Sequence, residues 1–288
     1  SLNFKDALSA SGNKGVTKSY PHTPGIDAAG EVVESKHTAF EPGDKVLVTG
    51  YDLGMNTPGG FGEYIRIPAN WIVKLPDGLT LKESMIIGTA GFTAAISFSH
   101  IAKKLKPEQG KIVVTGATGG VGSVALCLLN QAGFSTVAVS GKQSESDFLT
   151  SLGANEMISR EQFQHIDTRP VLSSRYAGAI DTVGGVALEN IIKTLHPQGV
   201  VTTCGSVGGT KLHVSVFPFI LRGVSLIGVS AQNFPAEQRE PLWKKLAGEW
   251  KPQKILHMYN EISRNELSDA IQKILRGEMK GRTVVSHL

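Results

Sequence analysis

The sequence predicts an α/β protein with a doubly wound parallel sheet and a second domain that is rich in β-strands. Two observations lead to this prediction. From residue 84 to residue 230, short apolar strands alternate with helical segments, the order that places helices on both faces of a parallel sheet. Residues 1–83 instead carry strand-like runs between glycine- and proline-rich turns and show no helical periodicity, a pattern typical of a small antiparallel barrel or sandwich.

Three strands are predicted in the first domain, at residues 29–33, 45–49 and 63–67. Six strands are predicted in the second, at residues 111–115, 135–140, 156–159, 177–183, 200–204 and 225–229. The helices between them are expected at residues 85–105, 123–132, 145–152 and 187–195. Beyond residue 230 we expect helices over 237–250 and 267–275 and a last strand over 282–286. In the helix over 267–275, apolar residues recur at helical spacing.

Composition excludes several classes of protein. The chain has 288 residues, 41% of them hydrophobic, which is enough for a large core or for two domains. The net charge of +4 comes from scattered basic residues rather than from a patch, so we expect no nucleic-acid partner. No uninterrupted apolar run approaches about 18 residues, so no membrane partner is expected. With two cysteines and no secretory signal, the sequence favours a cytoplasmic protein.

A glycine-rich turn supplies the strongest functional signal. The strand over 111–115 leads into it, and a helix follows it. In this geometry, backbone N–H groups and the helix dipole bind a pyrophosphate, and glycine is needed because a Cβ would keep the backbone away from the phosphates. A second strand follows at the distance that a dinucleotide site requires. The candidate cofactor-binding residues of the turn are Gly116, Thr118, Gly119, Gly120, Val121 and Gly122.

The end of the second strand indicates which dinucleotide binds. A site for NAD places Asp or Glu there, to accept hydrogen bonds from the ribose 2′-hydroxyl. This chain has Ser140, Lys142 and Ser144 in that loop and no carboxylate that would repel a 2′-phosphate. The sequence therefore predicts NADP(H). A solvent-exposed loop lysine is the alternative interpretation of Lys142.

Several segments along the whole chain resemble one family. They read S-L-N-F-K-D at 1–6, P-G-I-D-A-A-G-E-V at 24–32, G-D-K-V at 43–46, I-I-G-T-A-G-F-T-A at 86–94, V-T-G-A-T-G-G-V-G-S at 114–123, P-F-I-L-R-G-V-S-L-I-G-V at 218–229 and G-R-T-V-V at 281–285. In this order they are similar to the zinc-independent quinone oxidoreductase branch of the medium-chain dehydrogenase/reductase superfamily. They resemble in particular its bacterial quinone oxidoreductases and acrylyl-CoA reductases.

The resemblance implies a domain organisation. It implies a GroES-like barrel domain formed by residues 1–83 and 231–288, around a Rossmann NADP(H)-binding domain at residues 84–230, often as a homodimer. Members of the family carry further N-terminal strands before the segment that resembles residues 1–6. We therefore expect this chain to lack those strands.

The residues argue against zinc. Zinc-using relatives have an early cysteine and then a Gly-His-Glu segment, where this chain has Asn3-Phe4-Lys5-Asp6 and Gly25-Ile26-Asp27. Cys127 falls in a predicted helix and Cys204 at a strand end, so no ligand set can be assembled. We expect no metal site.

The resemblance also suggests residues for the reaction. It places Asn3, Lys5 and Asp6 beside the nicotinamide: Asn3 as a donor to the substrate carbonyl or the cofactor, Lys5 as the group that stabilises an enolate, and Asp6 as the residue that orients Lys5. A structural turn is the alternative for all three. Four further residues are expected near the cofactor, namely Thr93, Gly205, Gly209 and Arg282. For Arg282 a surface salt bridge is the alternative.

Three functions remain open from the sequence. The first is NADPH-dependent reduction of an activated α,β-double bond in an enone or enoyl thioester, with acrylyl-CoA as the leading substrate. The second is reduction of quinones. The third is a protein that keeps the fold without turnover and senses nucleotides or binds nucleic acid. The glycine turn together with Asn3, Lys5, Asp6 and Arg282 favours an enzyme.

Overall fold

The computed structural model describes residues 1–287, except for the side chain of Gln143. In chain order, the helices and strands are α1 (Phe4–Ala10), β1 (Asp27–Glu31), β2 (Lys45–Thr49), β3 (Val73–Lys74), α2 (Leu81–Lys104), β4 (Ile112–Thr115), α3 (Gly120–Gln131), β5 (Thr136–Ser140), α4 (Ser146–Leu152), β6 (Glu156–Ser159), α5 (Arg160–Phe163), β7 (Tyr176–Asp181), α6 (Gly185–Thr194), β8 (Leu195–Thr203), α7 (Phe217–Arg222), β9 (Ser225–Gly228), α8 (Ala236–Ala247), β10 (Tyr259–Ser263), α9 (Leu267–Leu275) and β11 (Arg282–Ser286).

The chain divides into two compact units. The first contains residues 1–92, 231–251 and 255–288, and the second contains residues 93–230 and 252–254. The boundary therefore lies at residue 92 rather than at residue 83, where the sequence predicts it. The reason is that the first part of α2 packs with the first unit, since the Phe92 ring stacks on Trp243 of α8 at 5.7 Å between centroids.

The second unit contains the predicted six-stranded parallel sheet. Its strand order is β6-β5-β4-β7-β8-β9, and every neighbouring pair is parallel. This is the doubly wound order of a dinucleotide-binding fold, in which the direction of winding reverses between β4 and β7. All four residues of β4 are buried, as expected for a strand covered on both faces. Helix α6 packs Leu188, Ile191 and Ile192 into a core that includes Val113 of β4 and Val201 of β8.

The first unit is built from both ends of the chain, as the resemblance implies. Strands β1, β2 and β3 form an antiparallel sheet, and β10 and β11 form a parallel pair. Leu2 forms a bridge with Thr283 of β11, which joins the first residues to the last strand. Helix α9 packs its predicted apolar face against Leu2 and Ile262.

Helix α2 has 24 residues and is interrupted at Gly88, whose φ of 51° and ψ of −162° are not helical. By length and apolar composition alone it is long enough to cross a membrane, but 78% of its most apolar window is buried inside the protein. That burial is typical of a core helix. At the interruption a new helical segment begins with Thr89, whose backbone N–H donates to the Asp27 carboxylate at 3.0 Å in the site described below.

Two predictions for the first 83 residues are wrong. Residues 4–10 form helix α1, which is too short for a periodic pattern; its start is marked instead by Asn3, whose backbone N–H donates to Asp6 Oδ2 at 2.7 Å. Residues 63–67 are not a strand. The turn before this segment is hydrogen-bonded to the turn around Gly25, since the Gly60 N–H donates to the Gly25 carbonyl oxygen. Within the segment, Tyr64 is 73% exposed. Four further elements are not predicted from the sequence, namely β3, α5, α7 and β10.

We predict that Gly88→Ala lowers the free energy of unfolding by about 2–4 kcal/mol. A Cβ at Gly88 would lie 2.5 Å from Asp27 Oδ2 and from Ser1 Oγ, in a backbone conformation that only glycine adopts without strain. The matched control is Gly30→Ala in β1, where a Cβ would meet no atom within 4 Å. Urea denaturation of both variants checks the prediction, and equal stability of the two would contradict it.

Candidate active site

The predicted glycine turn lies between β4 and α3. Gly116 has a φ of 58°, Gly119 is the N-cap of α3, and the helix begins at Gly120. A Cβ on Gly116 would overlap Thr182 Oγ1, and one on Gly122 would lie 2.7 Å from the Cα of Ala117. The close packing explains why glycine is required at both positions.

The turn brings together the six candidate residues that the sequence places on it. The first N–H groups of α3 lack carbonyl partners within the helix, and they lie at the positive end of the helix dipole. A pyrophosphate is the ligand that this arrangement suits, and it lies at the carboxyl edge of the sheet where the strand order reverses. The glycine turn over residues 116–122, which we call the glycine cradle, therefore fits a dinucleotide.

The predicted 2′-phosphate loop follows β5. Ser140 Oγ accepts a hydrogen bond from the Lys142 backbone N–H at 3.0 Å, and Ser144 is exposed. The structure adds one residue that sequence reasoning missed. Arg160 follows β6 directly, and a Cβ placed on Gly141 would lie 2.9 Å from its guanidinium carbon, so the guanidinium covers the turn.

Arg160 could have been found from a general rule. In a parallel sheet, residues that follow adjacent strands meet at one edge, and Ser159 of β6 is the register partner of Ser140 in β5. The residue after Ser159 is therefore expected beside the loop after Ser140. Its planar guanidinium is suited to bind a phosphate with two parallel hydrogen bonds.

Asp181 joins the carboxyl ends of three strands in the second unit. It is completely buried at the end of β7, and its carboxylate accepts hydrogen bonds from Thr115 Oγ1 at 2.7 Å, Thr203 Oγ1 at 2.9 Å and the Gly184 N–H at 2.9 Å. Burial raises the pKa of Asp181, and these hydrogen bonds oppose that effect. These three hydrogen bonds hold the ends of β4, β7 and β8 in a fixed relation.

Gly205 and Gly209 lie at this same edge. Gly209 forms a bridge with Gly184, and a Cβ on Gly205 would overlap the Thr182 carbonyl oxygen. The glycines therefore allow two loops to cross closely above β7 and β8. Thr93, also predicted near the cofactor, lies within α2 and is 7% exposed.

In the first unit, a buried polar cluster contains the residues predicted for catalysis, except Lys5. We define this cluster as Ser1, Asn3, Asp6, Asp27, Thr89 and Arg282. Asp27 lies at its centre: its carboxylate accepts from the Thr89 hydroxyl at 2.5 Å, from the Thr89 N–H at 3.0 Å and from Asn3 Nδ2 at 2.8 Å. Asp27 therefore caps the helical segment that restarts after Gly88.

Arg282 is a structural residue of this cluster. It is 3% exposed, donates from Nε to the Ile86 carbonyl at 2.9 Å and from Nη2 to Ser1 Oγ at 2.7 Å, and lies 3.8 Å from Asp27 Oδ2. Arg282 is therefore not part of a surface salt bridge, which was the alternative to a cofactor contact; its guanidinium is buried beside Asp27. A buried guanidinium is stable here because it is paired with a carboxylate and hydrogen-bonded.

Asp6 does not orient Lys5. Its two oxygens accept from the Asn3 N–H at 2.7 Å and the Ile26 N–H at 2.8 Å, so it fixes the start of α1. Burial and the nearby charge of Asp27 raise the pKa of Asp6 to about 6. Lys5 instead donates from Nζ to Gln232 Oε1 at 2.6 Å, and burial lowers its pKa.

Within residues 1–287, no group of three or more His, Cys, Asp or Glu side chains is placed to hold a metal ion. Cys127 is buried in α3, as the sequence predicts, and Cys204 follows β8. Burial raises the pKa of both thiols to about 12. Neither thiol is therefore poised to ionise as a metal ligand.

We predict that Arg160→Gln weakens NADPH binding by about 10- to 100-fold, the effect of losing a charge-assisted hydrogen bond to a phosphate. The affinity for NADH, which has no 2′-phosphate, should change less than about twofold. Fluorescence titration with both cofactors measures this. The control is Arg169→Gln, an exposed arginine paired with Asp167 in the same unit. Equal losses for NADPH and NADH would contradict the assignment.

Comparison with known proteins shows the family of the chain. The alcohol dehydrogenase GroES-like domain family matches residues 1–77, and the zinc-binding dehydrogenase family matches residues 120–248. The chain is 40% identical over 286 residues to the quinone oxidoreductase YhfP of Bacillus subtilis, covering 99% of this chain and 87% of the relative. It is 37% identical over 285 residues to the acrylyl-CoA reductase AcuI of Ruegeria pomeroyi, covering 99% and 86%.

Two solved structures have the same fold. The YhdH oxidoreductase of Salmonella enterica, crystallised with NADP, superposes with a TM-score of 0.96 at 39% identity and covers 100% of this chain and 89% of that one. Bacillus subtilis YhfP, crystallised with NAD, gives a TM-score of 0.95 at 40% identity, covering 99% and 88%. With a GroES-like first unit and a dinucleotide-binding second unit, this chain belongs to the medium-chain dehydrogenase/reductase superfamily, in the group that contains YhfP and AcuI.

Proposed function

We propose that this protein is an NADPH-dependent reductase of an activated carbon–carbon double bond, with acrylyl-CoA as the leading substrate. The observation that carries the proposal is the cradle after β4 combined with the carboxylate-free loop 140–144 and Arg160. A 2′-phosphate would meet cationic groups there rather than a repelling acid. The relatives named as acrylyl-CoA reductases, at 37–41% identity over nearly the whole chain, support this substrate class.

The bound cofactor would supply a hydride to the β-carbon of the substrate. The chain must then stabilise the negative charge that develops on the carbonyl oxygen and supply a proton to the α-carbon. Lys5 is our candidate for the first role, because its ammonium is only half-buried and is held by a neutral group. Asn3 is 9% exposed and its amide donates to Asp27, so we assign it to the structure of the site.

Quinone reduction is the second candidate function, and the 40% identity to a protein named quinone oxidoreductase favours it. The chemistry that the chain must provide is similar, because charge also develops on a carbonyl oxygen. The alternative of a protein without turnover gains no support, since the relatives are named as reductases and oxidoreductases.

We further propose that the reaction needs no zinc, that the protein is cytoplasmic, and that nucleic acid and membranes are not its partners. Ile26 occupies the position of the histidine in zinc-using relatives, and Asn3 begins the segment in which they have a cysteine. The scattered basic residues support the absence of a nucleic-acid partner.

A homodimer is also proposed, with contact through β9 and α7. β9 is an edge strand of the sheet, and an edge offers unpaired N–H and C=O groups to another strand. Beside it, α7 and the residue before it expose an apolar surface of Val216, Phe217, Ile220 and Leu221, at 65%, 44%, 67% and 68% exposure. Exposed apolar residues that cluster in this way favour a protein contact.

We expect NADPH oxidation with acrylyl-CoA to be faster, in kcat/KM, than with any member of a panel of quinones. The same assay in EDTA should keep its rate, because within residues 1–287 no group of three or more His, Cys, Asp or Glu side chains is placed to hold a metal ion. The fall in absorbance at 340 nm, a wavelength at which reduced nicotinamide absorbs, measures the rate with each substrate and in EDTA. Turnover of quinones alone would favour the second candidate, and loss of rate in EDTA with recovery on adding zinc would refute metal independence.

The double substitution Ile220→Glu with Leu221→Glu should convert a dimer into a monomer, because four apolar side chains of the contact would meet buried charge. Light scattering coupled to size exclusion measures the mass. Ile166→Glu is the control, as it adds a charge at another exposed apolar residue of the same unit, 70% exposed. A monomeric parent protein, or a dimer in both variants, would contradict this interface.

A further inference from the structure

We propose that Gln232 and Arg239 are positioning residues for Lys5: Arg239 fixes the backbone at residues 231–232, and the Gln232 side chain then holds the Lys5 ammonium in the orientation in which it acts on the substrate. The inference rests on the proposed function of Lys5. It concerns the first unit alone, and all its contacts lie within that unit.

Arg239 is an unusual buried cation. It is 2% exposed in α8 and donates to three backbone carbonyl oxygens: from Nη1 to Thr49 at 2.8 Å, and from Nη2 to Ala231 at 2.6 Å and Gln232 at 2.9 Å. A buried guanidinium is costly unless its donors are satisfied. The donors on Nη1 and Nη2 are satisfied here and join the end of β2 to the segment before α8, whereas the buried Nε has no hydrogen-bond partner among the described residues. The buried guanidinium therefore holds residues 231–232 against the end of β2.

The loop after β2 is shaped to make this connection. Tyr51 has a φ of 54°, a left-handed conformation that costs a non-glycine residue about 1–3 kcal/mol. The Arg239 guanidinium lies 4.1 Å from the centroid of the Tyr51 ring, and that ring also stacks in parallel on Trp71 at 5.2 Å between centroids. Gly50, with a φ of 74°, lets this loop approach Gln232, because a Cβ there would lie only 3.2 Å from the Gln232 Cα. These contacts stabilise the left-handed backbone of Tyr51.

Gln232 connects this fixed segment to Lys5. Its Oε1 accepts from Lys5 Nζ at 2.6 Å, across 227 positions of sequence. An amide oxygen holds an ammonium without neutralising its charge, whereas a carboxylate would form an ion pair and compete with a developing oxyanion. Asp6, on the same helix as Lys5, raises the Lys5 pKa through its charge, and Arg239 donates to the Gln232 backbone carbonyl oxygen. Burial has the larger effect and lowers that pKa.

This arrangement predicts opposite effects for two variants. Gln232→Leu removes the acceptor from a partly buried ammonium, so the Lys5 pKa should fall further. Gln232→Glu places a negative charge there, so the pKa should rise. If Lys5 acts as a cation, kcat is lost as pH rises through its pKa. The basic limb of the pH profile should therefore move to lower pH in Gln232→Leu and to higher pH in Gln232→Glu.

The experiment combines kinetics with direct chemical labelling. Rates with NADPH and acrylyl-CoA, or with a quinone if only quinones turn over, should show kcat reduced about 10- to 100-fold in Gln232→Leu, with KM for NADPH within about twofold of the parent value. Labelling of Lys5 by acetic anhydride, followed by mass spectrometry against pH, reports the same pKa without any turnover. The matched control is Gln238→Leu, an exposed glutamine of α8.

Arg239→Met tests the outer member of the pair. Loss of its three hydrogen bonds should free Gln232, so that Lys5 becomes more solvated and its labelling pKa rises toward the value of an exposed lysine. Thermal melting shows whether this variant folds; if it does not, the Gln232 variants carry the test by themselves.

Three results distinguish the positioning role of Gln232 from the catalytic role of Lys5. If Lys5→Met keeps full activity, the proposed role of Lys5 fails. If Lys5→Met is inactive but both Gln232 variants match the Gln238→Leu control in kcat and in labelling, the positioning role fails and the role of Lys5 stands. If the pH limb and the labelling pKa shift in the same direction in both Gln232 variants, the positioning role is also wrong. Opposite shifts, with KM for NADPH preserved, support it.

Discussion

The carboxylate of Asp27 connects segments of the first unit that lie far apart in the sequence. It accepts from Asn3 at the start of α1 and from Thr89 in α2, and lies 3.8 Å from the guanidinium of Arg282 in β11. Gly88 makes this possible, because its left-handed backbone exposes the Thr89 N–H at the carboxylate and leaves no Cβ in the way. The first and last parts of the chain are therefore held at one buried point, and that point also fixes the helix from which Lys5 projects.

In the second unit, too, a buried carboxylate connects segments that lie far apart in the sequence. Asp181 is buried at the end of β7 and receives hydrogen bonds from the ends of β4 and β8. The carboxyl edge of a parallel sheet is the place where loops must be held to bind a dinucleotide. In both units a single buried carboxylate, fully supplied with donors, organises loops that would otherwise have no regular backbone partners. Such a group stabilises only while its donors remain, since an unpaired buried charge is strongly unfavourable.

Each unit carries a polar site of its own. The second unit offers a glycine cradle for a pyrophosphate and a cationic loop for a 2′-phosphate. The first offers Lys5, an ammonium held by a neutral amide. Most of the other polar residues near the start of α1 are structural: Asn3, Asp6 and Arg282 satisfy one another and the backbone. Lys5 differs from them, because its ammonium is only half-buried and donates to a neutral amide.

The sequence by itself determined the parallel sheet, the glycine cradle and the absence of an acid after β5, because these depend on local patterns of apolar, glycine and charged residues along each strand and turn. It could not show that α1 is a helix, since seven residues are too few to establish a period, or that residues 63–67 lack a strand partner. It also could not show that Asp6 accepts from the Ile26 N–H, or that Arg282 is buried inside the first unit beside Ser1 and Asp27. Those relations join residues far apart in the chain, and only the tertiary structure decides which donor reaches which acceptor.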